Sequence, residues 1–187
     1  PAIIVFKKSC IVNGEEMGLY PVAMWISPTR LDIHFDEEVL KACKWYGCEA
    51  NYEVDRRTDF IFYFNKEKAS RFLTWTPKIL QNPAKRGGFK AEVGSRSGDM
   101  FQLAQQLQIL KKYVDGDNND VYNGHVHRIK YPSLLNQLLK YDHNDRTKSD
   151  QVVSLAMALA PVLGEMEMPI RPQQSRQILP TYDLRLN

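Results

Sequence analysis

The chain has 187 residues, of which 43% are hydrophobic and 25% are charged, and its formal net charge is +3 at neutral pH. This length and composition suffice for one sizeable core and predict a single domain. The small net charge excludes a histone-like polycation, so binding to nucleic acid would require a local basic patch. Three cysteines without a Cys-x-x-Cys pair exclude a zinc ribbon and a disulfide framework, and they are typical of reduced thiols in an intracellular protein.

The longest apolar run covers residues 152–163 and is interrupted by Ser154 and Pro161. It is too short to span a bilayer, and the first residues lack the basic and apolar regions of a signal peptide. We therefore expect a protein of the cytoplasm that has no membrane partner.

Three short runs near the start of the chain favour β-strands, at residues 3–6, 10–12 and 19–26. Asn13-Gly14 can adopt the left-handed conformations of a tight turn between the last two runs, which predicts an antiparallel meander. The first run begins directly after Pro1, with no turn or capping residue ahead of it. We expect from this pattern that the sequence begins inside a fold.

A helix, a strand and a second helix are predicted next. Acidic residues 36–38 suit a first helical turn, and Gly47 suits the position just after a helix. Residues 49–55 alternate apolar and polar side chains and predict a strand, with Glu53 near its C-terminal end. The spacing of apolar residues over 58–72 predicts a helix.

Residues 83–98 are rich in Gly, Lys and Arg, and they predict a loop or an exposed hairpin. Ser97 is placed to cap a long amphipathic helix over residues 100–114. After it we expect a short strand over residues 125–129 and a helix with Pro132 in its first turn.

The last helix is predicted to open at Ser149-Asp150 and to end at Gly164. Its apolar positions almost encircle it, so it should be buried. Residues 165–187 contain three prolines and little periodicity, which is typical of an arm or a linker. We therefore expect one domain over residues 1–164 and a tail over residues 165–187.

The order of these elements predicts an α/β fold, a mixed sheet flanked by helices, in which functional sites gather at the ends of strands. Two carboxylates stand out: Glu53 on a central strand and Asp150 at the start of the most buried helix. Each would cost free energy to bury unless a cation or hydrogen bonds compensated it. Two plainer interpretations stay open. In one, Asp150 serves only as an acidic residue that interacts favourably with the helix dipole, and in the other, Glu53 points to solvent from a half-exposed strand.

Three other patterns in the sequence give weaker indications of function. Residues 115–119 look like the first half of a calcium loop, but Asp120 and Val126 occupy the positions that require Gly and Glu. His125 and His127 have no companion ligand at a fitting spacing. The three tryptophans are interpreted as core or half-buried aromatic residues, with no stacking platform for nucleic acid.

Three stretches of the chain resemble the nuclease domain of the large terminases of tailed phages, especially those of gut phages that infect Bacteroidetes. They are WYGCEANYEVDRRTDFIFYF at residues 45–64, TWTPKIL at residues 74–80 and YPSLLNQLLKYDHNDRTKSDQVVSLAMAL at residues 131–159. The resemblance rests on the order of these stretches, since no single short motif in them is diagnostic. It implies a ribonuclease H-like fold in which clustered carboxylates hold two divalent metal ions.

Residue by residue, Glu53 matches the second acidic ligand of that family and Asp150 matches the third, and Asp145 is a further candidate ligand. The resemblance implies Mg²⁺ or Mn²⁺ as the cofactor. The first acidic ligand of the family lies on a strand ahead of the region that matches residues 2–6, and no acidic residue occurs here before Glu15. We expect that the first strand of the sheet is missing from this sequence, which leaves the metal site short of one ligand.

Contacts with DNA phosphates are predicted for four basic residues around the Gly-rich segment, namely Lys85, Arg86, Lys90 and Arg96. The alternative is an ordinary solvated loop. The terminase family often has Lys in this stretch, where the present chain has Arg96. His143, in the loop before Asp150, is a further residue that could assist the site.

The resemblance implies a metal-dependent endonuclease domain that cuts concatemeric double-stranded viral DNA during packaging in the host cytoplasm. Its partners would be that DNA, the terminase ATPase domain and the portal of the procapsid; no GxxxxGK[ST] motif occurs in this chain. The rival hypothesis is a catalytically incomplete ribonuclease H-like module that docks DNA or the portal. A weaker third hypothesis is a resolvase or integrase of the same fold.

Overall fold

The computed structural model describes residues 1–27, 32–54, 59–82, 92–96, 98–116, 124–143 and 148–166, and its architecture is mixed α/β. Strand β1 (Ala2–Lys7) pairs antiparallel with strand β4 (Tyr20–Ile26). The register shifts between Val5 and Phe6, where Phe6 lies opposite Pro21. Proline has no N–H to donate to the ladder, which accounts for an irregularity at this position.

A separate hairpin lies between β1 and β4 along the chain. Strands β2 (Cys10–Val12) and β3 (Glu15–Met17) pair across Asn13 and Gly14, whose φ values of 53° and 84° belong to a left-handed tight turn. The predicted meander is therefore wrong in one respect, because this turn leads into β3 and not into β4. The sequence EEM of β3 has no apolar alternation, so the pattern does not reveal this strand.

Helix α1 (Asp32–Tyr46) begins ahead of the predicted acidic turn and ends where the sequence predicts. Gly47 has a φ of 61°, and the N–H of Cys48 donates to the carbonyl oxygen of Cys43 at 3.1 Å. This bond closes the helix around a left-handed residue, a conformation that glycine adopts at no steric cost.

Helix α2 (Asp59–Lys66) is shorter than the helix predicted over residues 58–72. Lys68 has a φ of 52°, which is outside the helical range, and a separate 3-10 turn (Ser70–Phe72) follows. The spacing of apolar residues alone does not reveal this break in the helix, because Phe64 before it and Ala69 after it are both buried.

The strand predicted over residues 49–55 is represented only by single bridges at residues 50 and 53, and not by a continuous strand. Ala50 pairs parallel with Leu73, and Glu53 pairs parallel with Ser95. A second 3-10 turn (Lys78–Leu80) follows the Thr-Pro segment. The predicted loop over residues 83–98 lies outside the described residues except for 92–96 and 98.

Helix α3 (Met100–Asp115) matches the long amphipathic helix that the sequence predicts. Its cap is Asp99, whose carboxylate accepts from the N–H groups of Phe101 and Gln102. The predicted cap Ser97 lies outside the described residues.

The strand predicted over residues 125–129 is wrong. The structure has a 3-10 turn (Val126–Arg128), in which the N–H of Arg128 donates to His125 O and that of Ile129 donates to Val126 O. These local bonds use the backbone groups that a strand would offer to a neighbour. Ile129 is buried in the core directly after this turn, so an apolar residue here does not require a strand.

Helix α4 (Pro132–Leu139) begins at the predicted proline. Helix α5 (Asp150–Met166) begins at the predicted aspartate and runs past Gly164, so the predicted C-terminus of this helix is two residues short. It packs against β1 and against α3. No helix that the structure describes combines the length and apolar character needed to cross a bilayer.

The core consists of two clusters. The larger one surrounds α5, where Leu155 and Leu159 are fully buried, and the smaller one lies beneath α1 and α2 around Phe60 and Phe64. Trp45 and Trp75 are 85% and 62% exposed, so their interpretation as core or half-buried aromatic residues is wrong.

Candidate active site

One cavity of about 930 Å³ is lined by β1, by residues 47–53, by α1 and by α5. The two predicted metal ligands Glu53 and Asp150 both line it. The apolar part of the lining includes Val39 from α1 and Met157 from α5. Two carboxylates that are far apart in sequence therefore line one cavity, which lies between an extended segment and the start of a helix.

The edge of β1 that faces this cavity carries no neighbouring strand among the described residues. The N–H of Ser27 donates to Pro1 O at 3.1 Å, which makes Pro1 and Ser27 a bonded pair of the antiparallel ladder. Bonded and non-bonded pairs alternate, so the N–H and C=O of Ile4 point away from β4. On that side, Ser154 Oγ of α5 donates to Ala2 O at 2.9 Å.

The bridge-forming segment at residues 50–53 presents a second strand edge to the same cavity. Ala50 bonds through both main-chain groups to the segment around Leu73, and Tyr52 and Val54 bond to Ser95 at 2.8 and 2.9 Å. Main-chain groups alternate in direction along an extended chain, so those of Asn51 point to the opposite edge, where the cavity lies.

Glu53 is positioned by its pairing with Ser95, which is 1% exposed. Glu53 itself is partly buried. Tyr52, beside it, stacks on Phe60 with ring centroids 4.5 Å apart, and burial raises the pKa of the Tyr52 phenol to about 12. Tyr52 therefore packs into the α2 core, and the alternation of the extended segment places Glu53 and Asn51 on the other face.

Asp150 is the first residue of α5, and its side chain is 52% exposed. The N–H of Gln151 donates to Gln137 Oε1 at 3.1 Å, so α4 satisfies one of the free donors at the start of α5. The Asp150 carboxylate lies 3.3 Å from the amino nitrogen of Pro1. In a longer chain that nitrogen would be a proline amide, without charge or hydrogen.

Two cysteines also line the cavity. The Cys48 thiol, when protonated, donates to Ala42 O with its sulfur 3.9 Å away, and the neighbouring Cys43 thiol lowers the pKa of Cys48 to about 7. The same contact, together with burial, raises the pKa of Cys43. Cys48 is therefore the thiol of the pair that ionises more readily, on the side of the cavity formed by the end of α1.

Of the remaining predicted site residues, the structure describes only Arg96 and His143, and neither is in the cavity lining. Arg96 Nε lies 2.7 Å from Glu92 Oε2, so its charge is paired in the structure. His143 is 59% exposed and lies 3.8 Å from Asp142 Oδ1, outside the cavity lining. Lys85, Arg86, Lys90 and Asp145 lie outside the described residues.

Sequence reasoning missed Asn51, which links the two elements that carry Glu53 and Asp150. Asn51 Nδ2 donates to Met157 O of α5 at 2.8 Å, and Asn51 Oδ1 accepts from Ser95 Oγ at 2.8 Å. The sequence contains one indication of such a link, which is Pro161 inside a predicted helix. Because proline has no N–H, it leaves one helical carbonyl without a hydrogen-bond donor, but the sequence does not show which residue donates in its place.

Within the described part of the chain, no group of three or more His, Cys, Asp or Glu side chains is arranged to hold a metal ion. The candidate site in this part of the chain consists of the carboxylates of Glu53 and Asp150. Comparison of the chain with protein-family models, with curated proteins and with solved structures finds no match.

Proposed function

We propose that this chain is a divalent-metal-dependent DNA endonuclease domain with a ribonuclease H-like fold, of the kind found in the large terminases of tailed phages. The observation that carries the proposal is the presence of Glu53 and Asp150 in the lining of one cavity. One comes from an extended segment and the other from the start of a helix, as the resemblance implies. The antiparallel pair β1–β4, followed by α1 and then by a segment with parallel bridges, also supports this fold.

The donor set fits Mg²⁺ or Mn²⁺, because these hard cations bind carboxylate oxygens. Glu53 and Asp150 would hold the metal, and when bound it would activate the attacking water and stabilise the leaving oxygen. Two carboxylates are few for such ions, so the proposal includes a further carboxylate from elsewhere in the protein.

The two strand edges that face the cavity support a source for this further carboxylate. A strand inserted between Ile4 and Asn51 would find main-chain partners on both sides, and α1 and α5 would cover its two faces. Its side chains would then lie beside Glu53 and Asp150. We propose that an acidic residue on such a strand completes the metal site.

The proposed substrate is concatemeric double-stranded viral DNA, and the proposed partners are the terminase ATPase domain and the portal. Phosphates would be met by Lys85, Arg86 and Lys90 in the Gly-rich segment. Arg96 would contribute only after it leaves Glu92, to which it is paired at 2.7 Å.

The metal site can be tested without any assay of cleavage, by titrating the protein with Mn²⁺ and recording its ¹H–¹⁵N spectrum. Paramagnetic broadening should be confined to amides around the cavity, including those of Glu53 and Asp150. The Glu53→Gln and Asp150→Asn variants should each lose the broadening, since each removes a charged ligand while keeping nearly the same shape. Mg²⁺ in excess should restore the sharp signals by competition.

The matched control is Glu37→Gln, which removes a carboxylate that is ion-paired with Lys41 at 3.1 Å on the exposed side of α1. This variant should broaden as the parent does. Broadening that is absent even at a large excess of Mn²⁺, or that persists unchanged in both site variants, would show that these carboxylates do not hold a metal.

A further inference from the structure

The last helix contains a proline in its interior, Pro161. Proline has no N–H, so the carbonyl oxygen four residues earlier, that of Met157, loses its helical donor. Met157 is only 7% exposed, so bulk water has little access to this carbonyl. A buried carbonyl without a donor is unfavourable, and some other group must therefore satisfy it.

The side chain of Asn51 satisfies this carbonyl. Its Nδ2 donates to Met157 O at 2.8 Å, and its Oδ1 accepts from Ser95 Oγ at 2.8 Å. Ser95 is 1% exposed and its main chain is bonded to Tyr52 and Val54, on either side of Glu53. The Asn51 amide is thus fixed at both ends, to helix α5 and to the partner of its own segment.

The geometry places this link beside both carboxylates of the candidate site. Asn51 and Glu53 are two residues apart in an extended segment, so their side chains project on the same face. Asp150 precedes Met157 by seven residues, which is about two helical turns, and it lies on nearly the same side of α5. The Asn51 hydrogen bond therefore joins the face that carries Glu53 to the side of the helix that carries Asp150.

We propose that Asn51 is a positioning residue that fixes the separation of Glu53 and Asp150, through the carbonyl that Pro161 leaves without a donor. As a statement about a metal site, this inference rests on the proposed function. The interruption in α5 then has a role, because the carbonyl it releases is the point at which the helix is joined to the Glu53 segment.

The test compares three variants of the full chain: Asn51→Leu, Pro161→Ala and the double variant. Leu is close to Asn in size but has no donor for Met157 O. Pro161→Ala returns an N–H to the helix, so that Met157 O regains an intrahelical partner. The readouts are the Tm and the dissociation constant for Mn²⁺, with Tyr113→Phe as the control. That control removes a buried hydroxyl that donates to Leu19 O at 3.1 Å, away from the cavity.

We expect Asn51→Leu to lower the Tm by about 3 °C or more and to weaken Mn²⁺ binding about tenfold. In the double variant the Tm should recover, while the Mn²⁺ affinity should stay low, because an intrahelical bond satisfies the carbonyl but joins nothing to the Glu53 segment. Tyr113→Phe should lower the Tm and leave Mn²⁺ affinity within about twofold, as expected of a substitution with no link to the site.

Recovery of both properties in the double variant would overturn the inference, since Asn51 would then only satisfy a carbonyl. If the parent protein binds no Mn²⁺, the proposed function fails, but the positioning role can still be read from amide exchange at Val54 and Ser95. Exchange there should be faster in both Asn51→Leu and the double variant. Unchanged exchange at these two amides would overturn the positioning role whether or not a metal binds.

Discussion

Gly94 lies directly against the backbone of Tyr52. A Cβ atom at Gly94 would stand 2.6 Å from Tyr52 O, closer than a carbon and an oxygen can approach without displacement. Gly94 also has a φ of 81° and donates its N–H to Thr74 O at 2.8 Å. The absence of a side chain here lets the Ser95 segment come close enough to pair with Glu53.

The first prediction is that Gly94→Ala is more destabilising than an ordinary substitution of a glycine with positive φ. The left-handed backbone alone costs about 1–2 kcal/mol for a residue with a Cβ. The contact with Tyr52 O adds to this, so we expect a loss of about 3 kcal/mol or more in the free energy of unfolding, measured by urea denaturation.

Gly47→Ala is the matched control, since Gly47 has a φ of 61° and no atom lies within 4 Å of the position that its Cβ would take. It should show only the cost of the left-handed backbone. Equal losses for the two variants would mean that the close approach to Tyr52 contributes nothing.

The second prediction concerns the Cys43–Cys48 pair. The neighbouring Cys43 thiol lowers the pKa of Cys48 to about 7, below its ordinary value near 9. Between these two pH values the folded protein has released a proton that the unfolded chain still holds, so stability should rise with pH across this window. Above it the raised pKa of Cys43 acts in the opposite direction, because the unfolded chain then ionises first.

Urea midpoints measured under reducing conditions at pH 6, 7, 8 and 9 test this expectation. Alkylation of Cys48, followed by mass spectrometry, should increase with a midpoint near pH 7, because the thiolate is the reactive form. Cys43→Ala removes this neighbouring thiol and should move the midpoint upward. A midpoint that is the same in that variant would rule out Cys43 as the cause.

The third prediction is that Lys85, Arg86 and Lys90 dominate the binding of duplex DNA. Replacing all three with Ala should weaken affinity and reduce the slope of log K against log salt by about 2.7, since each phosphate contact contributes about 0.9. Fluorescence anisotropy at several salt concentrations gives both quantities. The control is a triple replacement of the exposed residues Lys66, Lys111 and Lys140, which lowers the net charge equally; an equal effect there would assign the binding to overall charge.

The fourth prediction is that residues 1–187 alone nick supercoiled DNA poorly even with Mn²⁺, because two carboxylates leave the metal site incomplete. A longer protein whose upstream segment places an acidic strand in the cavity should nick at least about 100-fold faster, since even outer-shell partners of metal ligands change affinity or activity by about 10–100-fold. Gel analysis of nicked plasmid gives the rate.

In that longer protein Asp150→Ala should abolish nicking while the fold survives, because replacing an exposed residue at a helix start costs about 0.5–2 kcal/mol. Circular dichroism and thermal unfolding verify the fold. Undiminished nicking by the Asp150→Ala protein would eliminate the proposed mechanism.

The elements that could be predicted from sequence are those whose signals are local. Helix α3 has apolar residues at helical spacing over its whole length, and α4 begins with a proline at the position that proline favours. The turn at Asn13 and Gly14 is equally clear as a turn, but its partner strand β3 carries Glu15 and Glu16 and has no apolar face to reveal it. In residues 125–129, Val126 and Ile129 belong to a 3-10 turn and to the residue after it, and single-sequence periodicity does not separate such a turn from a short strand.

The two carboxylates of the candidate site could be predicted from the sequence, but the contacts that join the elements carrying them could not. Glu53 and Asp150 attract notice because charged groups on buried elements need compensation. The link between their elements depends on Asn51 and Met157, which are 106 residues apart. Pro161 reveals from sequence that a carbonyl will be released, and only the packing of α5 against the extended segment determines which side chain reaches it.

The cavity between Ile4 and Asn51 also has a consequence for the behaviour of the chain in isolation. Strand edges are templates for any extended polypeptide, and here two edges face one cavity in which a captured strand would be bonded on both sides. Molecules of residues 1–187 should therefore exchange or capture strands as their concentration rises. A segment that occupies this cavity would block such strand capture and keep the domain monomeric, independently of any carboxylate that it adds to the metal site.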